Sequence, residues 1–300
     1  IEPHMDAFAT FLQLYKATND TKWKTAAEKA WQFFIKSDAY HPQDGIIWQG
    51  IWEFGTNKVF ATDAYSWTMA GPGGDRMSLF ELEKFTETML SKSLTQVTLE
   101  LPDGKTRTVT LVDFTDPKDP QVMAERVGEV ITKQQIEAIG LNAGDFFTKM
   151  QNKKWIMKVN ENEWHLTKEF KDIKSEMAGL FGSDFNKIVI GLGFHPMGTV
   201  EWAGGVIAAL QKNAVRFWEK GNPQQKETAR HYKAVAEYLI ANSLYAFYEI
   251  PGLEGMLSFY ATGQNVQTGH GWRTPFFYVK GPGVTIKGGS LVSAWPVLPI

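Results

Sequence analysis

Three hundred residues, 43% hydrophobic and 21% charged, supply enough core for one large or two small domains of a soluble globular chain. A net charge of -2 and a pI near 6.4, with both signs interspersed, leave no electrostatic footprint for nucleic acid or an anionic membrane surface. With no cysteine, the chain can hold no disulfide, thiolate nucleophile or Cys-ligated metal centre.

No apolar run reaches spanning length, so no transmembrane segment is expected. Ile1-Glu2-Pro3-His4 runs straight into a helix without a basic and apolar leader, which reads as a processed or partial chain. Residues 5–18 set Phe8, Phe11, Leu12 and Tyr15 at helical spacing, with Asp6 where a carboxylate favours a helix start. After the turn at Asn19-Asp20-Thr21, a helix over 22–37 carries Ala27, Ala30, Trp31 and Phe34 on one face. So short a connection makes an antiparallel helical hairpin. Asp44-Gly45 is a turn, and 46–54 is extended and aromatic. Residues 61–67 open another helix with Thr62 or Asp63 as its N-cap, Gly71-Pro72-Gly73-Gly74 ends it, and 78–90 is helical again.

The middle departs from this pattern. Residues 97–101, an Asp103-Gly104 turn and residues 108–112 alternate as a β-hairpin. Asp116-Pro117 is expected to cap a helix running to about residue 139; 141–165 is mixed and 166–180 helical. We read 95–165 as an insertion or small α+β subdomain between two stretches of helical hairpins, 1–94 and 166–300. In the second stretch, one long helix carries Val206, Ala209, Leu210, Ala214 and Phe217. Gly221-Asn222-Pro223 stops it, and a helix over 225–245 follows with Ala229, Tyr232, Ala236 and Leu239. A glycine-rich tail closes the chain.

No P-loop, dinucleotide fingerprint, nucleophile elbow or zincin motif is present. Gly191-Leu192-Gly193 follows the apolar run Ile188-Val189-Ile190 like a nucleotide turn but lacks the third glycine. The six histidines are scattered and none is paired at ligand spacing, so neither a metal nor a cofactor is expected. Three carboxylates draw more interest. Asp6, Asp63 and Glu201 each stand at or just inside an expected helix start with an aromatic nearby: Phe8, Trp67 and Trp202. In a ring of hairpins the inner helices start at one end, where such carboxylates can flank a glycosidic bond as acid and base. The plainer reading makes Asp6 and Asp63 simple caps. Glu201 fits that reading less well, because Thr199 is the better cap. Of the 11 Trp, 20 Phe and 9 Tyr many fit a core, but the surplus of Trp outside helical periodicity suits stacking on the apolar faces of sugar rings.

Five phrases occur in order: Glu2-Pro3-His4-Met5-Asp6-Ala7-Phe8; Asp44-Gly45-Ile46-Ile47-Trp48-Gln49-Gly50; Asp63-Ala64-Tyr65-Ser66-Trp67; Val200-Glu201-Trp202-Ala203-Gly204; and Phe259-Tyr260-Ala261-Thr262, continued by Thr268-Gly269-His270-Gly271-Trp272 and Ser290-Leu291-Val292-Ser293-Ala294-Trp295. Together they resemble bacterial (α/α)6-toroid proteins of the six-hairpin glycosidase type over residues 1–75 and 198–295. The departures are Pro3 and His4 in the first phrase, a missing Glu beside Gly45, and Ala203 in place of Thr. The family's first hairpins would precede residue 1, so the ring is expected incomplete within this chain. The resemblance implies a mainly α toroid carrying a small α+β insertion, in a periplasmic or extracellular glycoside hydrolase acting on an oligosaccharide or polysaccharide. Glu201 would be the general acid and Asp63 or Asp6 the base. Trp48, Trp67, Trp202 and Trp272 would stack on sugar rings, and His270 would hydrogen-bond hydroxyls. Two other readings stand beside it. One is a non-catalytic binding protein that uses the toroid surface and residues 95–165, as a homo-oligomer or under a covering chain. The other is an epimerase drawing on His4 and His270.

Overall fold

The computed structural model describes residues 1–100, 105–119, 122–123, 126–128, 130–193, 197–249, 256–259, 262, 277–281, 284–288 and 291–293. The chain is mainly helical with small antiparallel sheets. It divides into two compact units: Ile1–Asp116 with Met197–Gln264 and Pro275–Ile300, and Pro117–Pro196 with Asn265–Thr274.

The first unit begins with the expected helical hairpin, α1 (Glu2–Thr18) and α2 (Thr21–Ile35). Asn19 turns the chain in the left-handed region at φ 53°, and the Asp20 carboxylate accepts from Lys22 N–H to cap α2. Apolar stripes face each other across the hairpin, with Phe8 and Trp31 rings 5.5 Å apart. A three-stranded sheet follows, β1 (Tyr40–His41), β2 (Ile46–Trp52) and β3 (Gly55–Phe60), with a register shift between Trp48 and Gly50.

Helix α3 (Thr62–Ala70) has six of its nine residues buried, so it is sheathed on most sides. Neither Thr62 nor Asp63 caps it; Ala61 holds that position without a side-chain bond. Thr62 is instead drawn sideways: its N–H donates to Phe114 O at 3.0 Å and its hydroxyl to Asp113 O at 2.7 Å. Helix α4 (Leu79–Ser93) starts at a Ser78–Glu81 capping box. It leads directly into β4 (Leu94–Glu100), which pairs with β5 (Thr106–Val112) from Leu94↔Val112 to Glu100↔Thr106. The Asp103-Gly104 turn lies outside the described residues. This hairpin falls in the first unit, where Thr110 N–H donates to Asn242 Oδ1 at 3.0 Å.

The second unit holds β6 (Val130–Thr132), α5 (Lys133–Ala138), α6 (Ala143–Asn152), β7 (Ile156–Lys158), β8 (Glu163–Leu166), α7 (Phe170–Phe181) and α8 (Phe185–Gly193). Its sheet runs β6-β8-β7, and a core of its own gathers Ile131, Phe146, Phe147, Trp164, Ile173 and Ile188. The single helix expected up to residue 139 is interrupted. β-Branched Val130-Ile131-Thr132 pair as a strand, and a Thr132–Gln135 capping box starts α5 afresh. The helix expected from residue 166 begins only at Phe170, because Leu166 pairs with Ile156. Ile188-Val189-Ile190 is helical within α8, so Gly191-Leu192-Gly193 opens no strand-to-helix phosphate turn.

The first unit resumes with α9 (Val200–Lys220) and α10 (Pro223–Ser243), joined by an Asn222–Gln225 capping box with Pro223 in the first turn. Beyond them the backbone forms the sheet β13 (Leu291–Ser293), β10 (Met256–Phe259), β9 (Phe247–Glu249), and the pair β11 (Phe277–Gly281) and β12 (Val284–Gly288).

The direction of the helices matters most for function. Gly205, in the second turn of α9, lies so close to α3 that a Cβ there would meet Ser66 Oγ at 2.9 Å. Near the far end of α9, Arg216 reaches Met69 O at 2.7 Å at the end of α3. The two helices therefore run the same way. Their starts hang from one short stretch, since Thr199 N–H donates to Val112 O at 2.8 Å just as Thr62 binds residues 113 and 114. Buried Asp113 ties the stretch together: its carboxylate accepts from Thr115 N–H and Met197 N–H.

Candidate carboxylate site at the helix starts

Asp63 occupies the first turn of α3, part-buried, with Oδ1 accepting the Ala64 N–H at 2.7 Å. Burial pushes its carboxyl up to about 7, the negative charge of Glu2 pushes the same way, and the Ala64 N–H opposes both. A hydrogen bond with Glu2 adds to the upward shift, so the two carboxyl groups are in contact. Glu2 opens α1, and α1 thus presents its start to the start of α3. Strand β2 is fastened to the same point: Ile1 N donates to Gln49 O at 2.8 Å, and Asn57 Nδ2 donates to Gln49 Oε1 at 2.6 Å. Tyr65, one turn into α3, accepts Ile47 N–H at 2.9 Å and donates to Gly45 O at 3.3 Å. Asp63 is therefore held by anchored neighbours on both sides.

Glu201 sits in the first turn of α9 and is exposed. It shares with Asp63 the anchoring of its helix start on residues 112–114, and no contact joins the two carboxylates among the described residues. Asp6 lies one turn beyond Glu2 on α1 and is exposed. Trp67 follows Asp63 by four residues on the same stripe of α3 and is 49% exposed, a free aromatic face one turn from the carboxyl pair. Trp48 is half-buried in β2 opposite Phe60. Trp202 is half-buried with its ring edge-to-face on Phe114 at 4.6 Å, so packing already occupies one side of it. His270 and Trp272 lie outside the described residues. His4 points its Nε2 at Ala30 O, 2.7 Å away, and packs on Phe33, which turns it toward α2.

Sequence reasoning passed over Glu2 as a site residue, although it stands in the first quoted phrase. The spacing Glu2-x-x-x-Asp6 on one helical stripe was the available signal. It ended the strand at Val112 and gave Asp113-Phe114-Thr115 no role. Among the described residues, no three His, Asp or Glu side chains gather as a metal ion would require. What the geometry offers is proton chemistry: one carboxyl that holds its proton near neutrality, an acidic neighbour that raises it, and an aromatic face beside it.

No family model, curated protein or solved structure matches the chain.

Proposed function

We propose that the first unit is part of an (α/α) toroid and acts on glycans as a glycoside hydrolase at the common start of α1, α3 and α9. The observation that carries this reading is the Asp63 carboxyl, raised to about 7 beside Glu2 on an anchored helix start. Glycosidic cleavage needs a carboxylic acid that keeps its proton near neutrality and a second carboxylate that does not. Asp63 takes the acid role, in place of the Glu201 first expected for it. Glu201, open to water at the neighbouring helix start, takes the role of base or nucleophile. Trp67 supplies a stacking face within one turn of Asp63. The toroid reading is supported by α3 and α9 running in one direction, with α10 following α9 across a short turn.

The test is release of reducing ends from a panel of oligosaccharides and polysaccharides. On any accepted glycan, Asp63→Asn should lower turnover by about 10²–10⁴, with a comparable loss for Glu201→Gln. Turnover that survives Asp63→Asn, or a panel wholly refused by the unaltered chain, defeats the reading.

A second reading, a non-catalytic binding protein, draws on the β4–β5 hairpin. The outer edge of β5 is occupied by Asn242 and Thr199, whereas β4 has no second strand beside it among the described residues. An open edge invites strand addition by a partner. Light scattering that finds a fixed oligomer, lost when Thr98 is replaced by proline, would favour this reading over catalysis.

A further inference from the structure

At the opposite end of α3 lies a pocket of about 420 Å³ between the second half of α1, the loop after α3 and the second half of α9. Its charged lining is lopsided: among the described residues Lys16, Arg76, Lys212 and Arg216 face it, against one carboxylate, Asp75. The two arginines are already engaged. Arg76 forks onto Glu28 with bonds of 2.8 and 2.6 Å. Buried Arg216 binds Asp75 at 2.8 Å and fills the carbonyls Met69 O and Gly71 O.

Lys16 and Lys212 are different. Both are exposed, and neither has a salt bridge or hydrogen bond among the described residues. Lys16 has an ordinary reason to be there, since it sits in the last turn of α1, where a cation complements the carbonyl end of the dipole. Lys212 lacks that reason: it lies two turns short of the end of α9, where Lys220 already fills the role. Arg216 has also quenched the carbonyl end of α3, which would otherwise repel an anion from this pocket. Two cations without a salt bridge or hydrogen bond among the described residues thus line the pocket together with Ala9, Leu12, Ala70 and Pro72.

We propose that this pocket binds a small anionic molecule, its carboxylate, sulfate or phosphate group held by Lys16 and Lys212 and its apolar part resting on the alanine–leucine–proline lining. The site is separate from the carboxylate end and stands whether or not that end turns over glycans. From Asp63 to Ala70 is seven residues of helix, about 10 Å.

Calorimetric titration of the whole chain with inorganic phosphate, sulfate and citrate tests the proposal. At least one anion should bind saturably. Its affinity should fall tenfold or more in Lys212→Gln, and in Lys16→Gln, both surface changes that leave the fold intact by circular dichroism. Lys233→Gln, an exposed lysine on α10 outside the pocket, is the control and should leave binding unchanged. Absence of saturable binding by all three anions overturns the site. So does unchanged affinity in both pocket variants, or an equal loss in the control, since that would be net charge rather than a site.

Discussion

Asp63 is expensive for the fold in its ionised form, and the sign of that effect is testable. Its folded value is raised to about 7, above the ordinary carboxylate range. Between that range and about 7 the folded chain keeps a proton that the unfolded chain has released. Stability therefore falls as pH rises through this window and levels off above it. Asp63→Asn keeps an oxygen for Ala64 N–H and never ionises. It should be more stable than the unaltered chain at pH 8, by roughly 1–2 kcal/mol after discounting for coupling to Glu2, and no more stable at pH 4. Denaturant midpoints at the two pH values check this; a variant less stable at pH 8 would refute the buried-acid account. Glu2→Gln removes the neighbouring charge, so the Asp63 titration followed by NMR should move to lower pH. The sequence marked Asp63 by its place at a helix start, and that much was legible. Its contact with Glu2 joins residues 61 positions apart on separate helices, and no local pattern carries such a meeting.

At the scale of elements, the approach of α3 to α9 decides whether their starts share one end. Two adjacent glycines in α9 make a built-in control. A Cβ on Gly205 would stand 2.9 Å from Ser66 Oγ, whereas one on Gly204 meets nothing within 4 Å. Gly204→Ala should stabilise by up to about 1 kcal/mol through helix propensity alone. Gly205→Leu should destabilise by about 1–3 kcal/mol, since it overpacks a contact against the buried side of α3. Thermal melts of the two variants measure both; a neutral Gly205→Leu would mean the helices separate freely there. At the far end Arg216 fixes the same pair. Arg216→Met strands Met69 O, Gly71 O and Asn213 Oδ1 in the interior and should cost roughly 2–4 kcal/mol. Helical periodicity located α1, α2, α9 and α10 because their stripes are long and flanked by turn residues. It misjudged residues 117–139, where β-branched residues and a new capping box split the segment. The direction of one helix relative to another is set by groups such as Arg216 and by the 112–115 junction, which carry no periodic signal.

For the molecule as a whole, the consequence that separates most cleanly is the presence of two cores. Phe217 is fully buried in the first unit's cluster, with Val206, Leu210 and Tyr232. Phe146 is 2% exposed in the second unit's cluster, stacked on Phe181 at 5.2 Å. The described apolar contacts form these as separate clusters, and a third, smaller one within the β4–β5 hairpin. Units with independent cores need not melt as one, so calorimetry should find two overlapping transitions rather than a single two-state peak. Truncating a buried phenylalanine removes its burial and leaves a cavity, a loss of about 3–5 kcal/mol confined to the unit that holds it. Phe146→Ala should lower one transition and leave the other in place, and Phe217→Ala should do the reverse. If each substitution moved both transitions together, the two units would be a single cooperative body. Any ligand effect seen on melting would then report on the whole chain. If they separate, the carboxylate end and the cationic pocket should both answer to the transition that Phe217→Ala lowers, because Glu2, Asp63, Glu201, Lys16 and Lys212 all lie in the first unit.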